Sequence, residues 1–277
     1  MESKLTFKNG NITLDYLSCV PAALAIERLI ECHILESKNF IRPVLDIGCG
    51  DGLFAKVLFA DQIDEGLDYD ASETARAAAS GKYLHLTTDS ATQMPFPEAS
   101  FATVFSNSVL EHIPEVERVV NEAFRVLKPG GIFYFTVPSP LFEEQALPHR
   151  LLCALGLKNQ AAAFGKAYNA FWRHYNVYDL EGWCSMASDA GFQIQEAFSY
   201  CPANAARLND LLAPLAFPSA ITRRIFNRWV LLPKLRRAFL LPIAKIINRR
   251  ITTWAQERHG VLCYVAAMKP NSMTTDA

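Results

Sequence analysis

Val44-Leu45-Asp46-Ile47-Gly48-Cys49-Gly50-Asp51-Gly52 decides how this chain folds. A short apolar run carrying one acid ends in glycines at positions 48, 50 and 52, and a helical stretch begins directly at Leu53. Glycines at 48 and 50 permit a tight turn and let the backbone approach a ligand over the carboxyl edge of a sheet, where open α/β sheets bind their ligands. The spacing is G-x-G-x-G, whereas dinucleotide sites use G-x-G-x-x-G. Asp46 would repel a pyrophosphate but can pair with an ammonium group.

Around this turn, short apolar runs alternate with helical stretches. The pattern predicts a doubly wound α/β fold with a mainly parallel sheet. Strands are expected at 41–47, 63–68, 83–86, 101–106, 132–137, 192–198 and 261–268. Helices are expected at about 21–37, 53–60, 72–79 (capped by Ser72 and closed by Gly81), 115–127 and 179–190. Lys128-Pro129-Gly130-Gly131 reads as the stop between a helix and the fifth strand.

Acids recur at the strand ends. Asp68 closes the second strand about twenty residues after the glycine turn, where a carboxylate accepts both hydroxyls of a ribose. Asp89 follows the third strand, placed to accept from an exocyclic adenine amine. With Asp46, Gly48 and Gly50, these residues describe a pocket for S-adenosylmethionine. Asn107, ending the fourth strand, either touches the methionine moiety or the substrate, or caps the following turn.

The stretches VLDIGCGDG, GLDYDAS, MPFPEASF, SNSVLEHIPEVERVVNEAFRVLKPGGIFYFTVPSP and GWCSMASDAGF make the chain resemble class I S-adenosylmethionine-dependent methyltransferases of the type-11 group. That resemblance implies a seven-stranded sheet with an antiparallel seventh strand. It also implies cofactor contacts from Gly48, Cys49 and Gly50, ribose contacts from Asp68, and Tyr69 beside the adenine. Two departures stand out. Ser90-Ala91 occupies the place of the group's Asp-Ala, with Asp89 one position earlier, so the adenine-facing residue lies among Asp89, Ser90 and Ala91. Ser100-Phe101-Ala102 replaces Ser-Phe-Asp.

The expected organisation is an N-terminal helical extension (1–40), a methyltransferase domain (41–202 and 261–270), and a helical insertion (203–260) between strands six and seven. The insertion holds eleven Lys and Arg against two Asp and Glu, whereas residues 1–202 hold 15 against 25. In this topology both ends of the insertion lie beside the active-site mouth. Ile221, Ile225, Trp229 and Leu232 fall at helical spacing, as do Ile243, Ile247, Ile251 and Trp254, with Arg223, Arg224, Arg228, Lys245, Arg249 and Arg250 at other positions. Such helices either lie on an anionic membrane surface or pack on the domain as a lid.

Seven scattered cysteines without a C-x-x-C pair disfavour disulfides and a thiolate metal site, so no metal is expected and a reducing cytoplasm, peripheral to the membrane at most, is the expected location. Apolar residues at 51% and charged residues at 20% exclude a disordered chain. The basic segment is too apolar to read as a nucleic-acid surface. The chain is therefore read as an enzyme that methylates a small-molecule or lipid-linked acceptor. The alternative is a silent cofactor-binding module acting through its basic surface on a partner. Acceptor contacts are expected from 139–178 and from the insertion. His112 is read as fixing its loop, and His149, His174, Tyr175 and Tyr178 as packing or surface residues. No catalytic residue or oligomeric state follows.

Overall fold

A computed structural model describes residues 3–226 and 228–271. Two helices, α1 (Ile12–Cys19) and α2 (Ala22–Leu35), precede the sheet. Then follow β1 (Val44–Ile47), α3 (Leu53–Leu58), β2 (Ile63–Asp68), α4 (Ala71–Ser80), β3 (Tyr83–Thr88), β4 (Phe101–Asn107), α5 (Val116–Val126) and β5 (Leu127–Pro138). The chain continues through α6 (Leu141–Glu144), α7 (Leu147–Ala154), α8 (Lys158–Trp172), α9 (Leu180–Asp189) and β6 (Gln193–Tyr200). Four helices, α10 (Ala203–Leu212), α11 (Phe217–Phe226), α12 (Pro233–Leu240) and α13 (Ala244–Gln256), lead into β7 (Leu262–Met268).

The strands lie in the order β3-β2-β1-β4-β5-β7-β6, with β7 antiparallel to both neighbours and the other observed pairings parallel. The mainly parallel sheet agrees with the sequence pattern, and the antiparallel seventh strand with the family resemblance. The sheet is buried on both faces. On one side α1, α2, α3, α10 and α13 enclose a core that includes Leu29, Ile30, Phe40, Phe59, Tyr264 and Trp254. On the other, α5 and α9 cover Leu45, Val104, Phe133 and Val265. The α5 helix buries Val116, Val119, Val120, Ala123 and Val126, steps of three, one, three and three residues that keep one apolar stripe against the sheet.

Several expectations need correction. The cap of α4 is Asp70, whose carboxylate accepts from the Ser72 N–H, because the acid stands one residue before the first helical turn. The expected stop at 128–131 is part of β5: the Gly130 N–H bonds to the Lys269 carbonyl and the Lys269 N–H to the Gly131 carbonyl, so a distant segment extends the strand. Residues 141–172 fold as three helices that the sequence pattern did not predict. Pro218 lies within the first turn of α11, where a missing N–H costs nothing. That helix ends at Phe226, before Trp229 and Leu232 can join its stripe.

The long excursion between β6 and β7 closes on itself. The Val261 N–H donates to the Cys201 carbonyl at 3.1 Å, and the Ser139 N–H donates to the Val261 carbonyl at 3.0 Å. A Cβ on Gly260 would stand 2.0 Å from the Tyr200 carbonyl oxygen, so this crossing requires glycine.

Candidate functional site

β1 delivers the chain to the carboxyl edge of the sheet, where Gly48 and Gly50 take positive φ. A Cβ at Gly48 would meet the Val109 side chain at 2.4 Å, whereas one at Gly50 would stand in open space. The turn is internally bonded. Gly48 and Cys49 both donate to the Leu67 carbonyl, at 2.7 and 3.0 Å, and Gly50 donates to Asp68 Oδ2 at 2.9 Å. Asp68 Oδ1 accepts from the Asp70 N–H at 3.0 Å, so this carboxylate holds the turn while one further lone pair remains on each oxygen.

Beside the turn lies a cavity of about 340 Å³. Asp46, Gly48, Cys49, Gly50 and Asn107 line it, together with Arg28, Val109 and Trp229. Asp46 is buried and accepts the Tyr83 hydroxyl at 2.7 Å. Burial outweighs that bond and pushes its carboxyl up to about 7. Asp68 is not in this wall. Tyr69 is 77% exposed, Asp89 and Ser90 are exposed, and Ala91 is half-buried, all outside the cavity. The ends of β2 and β3 are nevertheless joined, since the Asp89 N–H donates to the Asp68 carbonyl at 3.1 Å.

Asn107 is held from two sides: its amide donates to Glu31 Oε2 at 2.7 Å and its carbonyl accepts from Thr136 at 3.0 Å. Glu31, fully buried on α2, also accepts from Arg28 (2.7 Å), the Ser108 hydroxyl (3.2 Å) and the Tyr200 hydroxyl (2.8 Å). One carboxylate thereby joins α2 to the ends of β4 and β6. Sequence reasoning missed Glu31 and Arg28. The available signal was a set of charges, Glu27, Arg28 and Glu31, inside an otherwise apolar helical face.

A larger cavity of about 650 Å³ adjoins the first and shares Leu24, Arg28 and Ser108 with it. Its walls come from α2, from the helices of 141–172, and from α10 with the turn after it. Phe142, Phe164, Phe171 and Trp172 make it largely apolar, while Glu27, Glu111, His112 and His174 supply polar atoms. Burial pushes Glu27 up to about 7 and Glu111 up to about 8, and holds His174 down at about 4. His112 is likewise lowered by burial. His149 lies outside this cavity, with Nδ1 3.9 Å from the Cys153 sulfur. Tyr175 is exposed, and Tyr178 packs edge-on against Trp183.

The excursion reaches back over the smaller cavity. Arg223 Nη1 pairs with Asp51 at 3.1 Å and its Nη2 with Glu73 at 3.4 Å. The same guanidinium lies over the Trp229 ring, whose residue walls the cavity.

Residues 45–135 match the family model described as a methyltransferase domain. The chain carries a class I S-adenosylmethionine-dependent methyltransferase domain. Over 100 residues it is 37% identical to a probable S-adenosylmethionine-dependent methyltransferase of Mycolicibacterium smegmatis, spanning 35% of this chain and 38% of that protein. Over 134 residues it is 34% identical to a sterol 24-C-methyltransferase of Yarrowia lipolytica, spanning 44% of this chain and 35% of that protein. The chain thus spans less than half the length of these curated relatives. The phosphoethanolamine N-methyltransferase 2 of Haemonchus contortus, solved with S-adenosyl-L-methionine, shares the fold at a TM-score of 0.50 and 21% identity, covering 82% of this chain and 48% of that one.

The residues around the smaller cavity fit this cofactor. Open space over Gly50 leaves room for a ligand against the turn, and the cavity wall offers an acid (Asp46) and a guanidinium (Arg28) as partners for an ammonium and a carboxylate.

Proposed function

We propose that this protein transfers a methyl group from S-adenosylmethionine to an apolar, lipid-linked or small-molecule acceptor. The junction of the two cavities at Leu24, Arg28 and Ser108 carries this reading. The bound cofactor supplies an electrophilic methyl on a sulfonium. Asp46 pairs with its ammonium group, Arg28 with its carboxylate, and Asp68 accepts from its ribose. Gly48, Cys49 and Gly50 provide the close backbone surface, while Tyr69, Asp89, Ser90 and Ala91 border the adenine end. Asn107, fixed by Glu31 and Thr136, shapes the wall next to the methionine moiety. Aromatic walls in the larger cavity hold an apolar acceptor and exclude water, so alignment and desolvation provide much of the acceleration. The sterol named for one relative is an acceptor of this class.

The organisation proposed is an N-terminal helical extension (1–40) walling both cavities, the methyltransferase domain (41–202 and 261–270), and an insertion (203–260) whose parts differ in role. Ile251 and Trp254 of α13 are buried against the N-terminal helices, and Arg223 and Trp229 turn toward the cofactor cavity. Arg237 pairs with Asp15 and Arg236 is half-buried. The outer surface keeps Leu215 (73% exposed), Phe239 (76%) and Ile246 (72%), with Arg224, Arg228, Lys234, Lys245 and Arg249 also exposed. No helix among the described residues is long and apolar enough to cross a membrane. That surface supports a second element of the proposal, peripheral seating on an anionic lipid layer.

The test is incubation of the full chain with methyl-labelled S-adenosylmethionine and two acceptor panels, one of sterols, prenylated phenols and acyl thioesters, the other of water-soluble amines and acids. Label entering only the apolar panel supports the reading. Label entering only the soluble panel overturns the acceptor class. Calorimetric binding of S-adenosylhomocysteine without turnover on either panel overturns the transferase reading.

A further inference from the structure

The polar atoms of the larger cavity are concentrated at one place. Glu111 and His112 lie in the 3-10 turn Leu110–His112 after β4, and His174 lies just beyond α8. The backbone fixes the two segments together. Tyr175 and Asn176 donate their N–H groups to the Glu111 carbonyl at 2.8 and 3.2 Å, and the Asn176 amide donates to the carbonyls of Leu110 and Ile113. His112 Nδ1 is 3.2 Å from the Arg173 carbonyl, which can only accept, so Nδ1 carries the proton and Nε2 keeps its lone pair. That Nε2 lies 3.7 Å from Glu111 Oε1.

Two buried atoms here have no partner: Glu111 Oε2, on a residue only 2% exposed, and His174 Nδ1. A buried polar atom left unbonded is costly, so two of them on residues of one cluster point to something that satisfies them. One ligand atom from each of Glu111, His112 and His174 lies within 4.8 Å of the others.

We propose that Glu111, His112 and His174 bind one divalent cation of the zinc and first-row transition-metal class. Two imidazoles and one carboxylate suit these ions, and an imidazole whose other nitrogen donates to a backbone carbonyl is the usual orientation of a metal-bound histidine. Ligand atoms about 2.1 Å from a common ion lie about 3 to 4 Å apart, so binding draws the three together by about an ångström. The partly exposed His112 ring has room to make that movement. All three residues line the cavity, so the remaining coordination positions face the space assigned to the acceptor. Sequence reasoning expected no metal because it weighed cysteines. This site uses none, and its third ligand comes from 62 positions beyond the second.

The experiment uses the full chain, stripped with chelator and titrated with Co²⁺, whose visible absorption reports its ligands, then with Zn²⁺ as competitor. One Co²⁺ per chain, displaced by Zn²⁺, is expected. Loss of an outer partner of a metal ligand typically weakens binding 10- to 100-fold, so Glu111→Gln and His174→Ala should each weaken it by at least about a hundredfold. His149→Ala should leave it unchanged. Retained binding of S-adenosylhomocysteine reports an intact fold and cofactor site independently of the metal. If a variant does not fold, the wild-type chain decides alone: Zn²⁺ must shift the ring resonances of His112 and His174 and of none of the other four histidines. Absence of saturable Co²⁺ binding, undiminished binding in both variants, or shifts confined to other histidines would each overturn the proposal.

Discussion

The Glu31 carboxylate accepts the Asn107 amide at 2.7 Å and thereby fastens an N-terminal helix to the carboxyl end of the central sheet. Because the same carboxylate serves Arg28, Ser108 and Tyr200, a wall residue of each cavity depends on it.

Replacing Glu31 with Ala leaves the Arg28 charge and three hydrogen-bond donors without their partner. Breaking a buried ion pair in this way costs about 3 to 5 kcal/mol. Urea denaturation should show a lowered midpoint, and calorimetry on the folded fraction should show weakened binding of S-adenosylhomocysteine. An unchanged midpoint would remove Glu31 from its central place.

Asp46 predicts a pH dependence of cofactor binding. Its carboxyl, pushed up to about 7 by burial, is mostly protonated at pH 6 and mostly ionised at pH 8, and only the ionised form pairs with an ammonium group. Affinity should therefore rise about tenfold across that interval, with proton release on binding. Stability should move the opposite way. A folded pKa above the unfolded value of about 4 means that stability falls as pH rises from about 4 through 7. Asp46→Asn should flatten both profiles, measured by calorimetry in buffers of different ionisation enthalpy and by melts at each pH.

Asp68 holds the glycine turn through Gly50 and is assigned the ribose. Its replacement by Ala should cost about 2 to 4 kcal/mol of affinity for S-adenosylhomocysteine, the range for charge-assisted hydrogen bonds lost together. Calorimetry with unchanged affinity and an intact fold would remove the assignment.

Arg223 bridges α11 to Asp51, in the wall of the smaller cavity, and to Glu73. Partly exposed pairs contribute at most about 1 kcal/mol each. Stopped-flow release of S-adenosylhomocysteine from Arg223→Glu should therefore be about fivefold faster, and added salt should accelerate release from the wild-type chain but not from the variant. Equal salt dependence would show that the bridge does not gate the cavity.

Binding to lipid vesicles should depend on the outward residues alone. Co-sedimentation with anionic vesicles should fall when Arg224, Arg228, Lys245 and Arg249 become Glu, and when Leu215, Phe239 and Ile246 become Ser. Binding to neutral vesicles should be weaker throughout, and salt should reduce the electrostatic part. A chain that stays in solution under every condition leaves the excursion as a lid alone.

The parts of this architecture legible in the sequence were those set by neighbours along the chain. Strand β2 falls at 63–68 as its apolar pattern indicates, and Gly81 ends α4 in the left-handed conformation expected of it. Features decided by distant partners were not legible. Lys128 to Gly131 reads as a turn until Lys269 arrives to pair with it. Trp229 continues a helical stripe on paper, but its helix has already ended and the ring turns to the cofactor cavity. The ten residues assigned to the cofactor follow in part from the glycine turn and the strand ends and in part, for Cys49, Tyr69, Ser90 and Ala91, from the family resemblance, and five of the ten line the smaller cavity. The charged centre on α2 stayed hidden, because the donors that satisfy Glu31 come from β4, its following loop and β6.

The hydrogen bond from Val261 to Cys201 means that the excursion leaves the sheet and rejoins it at the same point. Its removal would leave two antiparallel neighbours needing only a short hairpin, with every register in the sheet unchanged. Lengthening such a loop is also inexpensive, since each doubling adds only about 0.6 kcal/mol of closure entropy. The excursion therefore behaves as a cassette between fixed ends whose outward-facing parts can be exchanged, provided that the core contacts of α10 and α13 and the placement of Arg223 and Trp229 at the smaller cavity are kept. Chimaeras that trade its outward-facing parts and keep Arg223 and Trp229 should change which acceptors are methylated before they change how the donor is held.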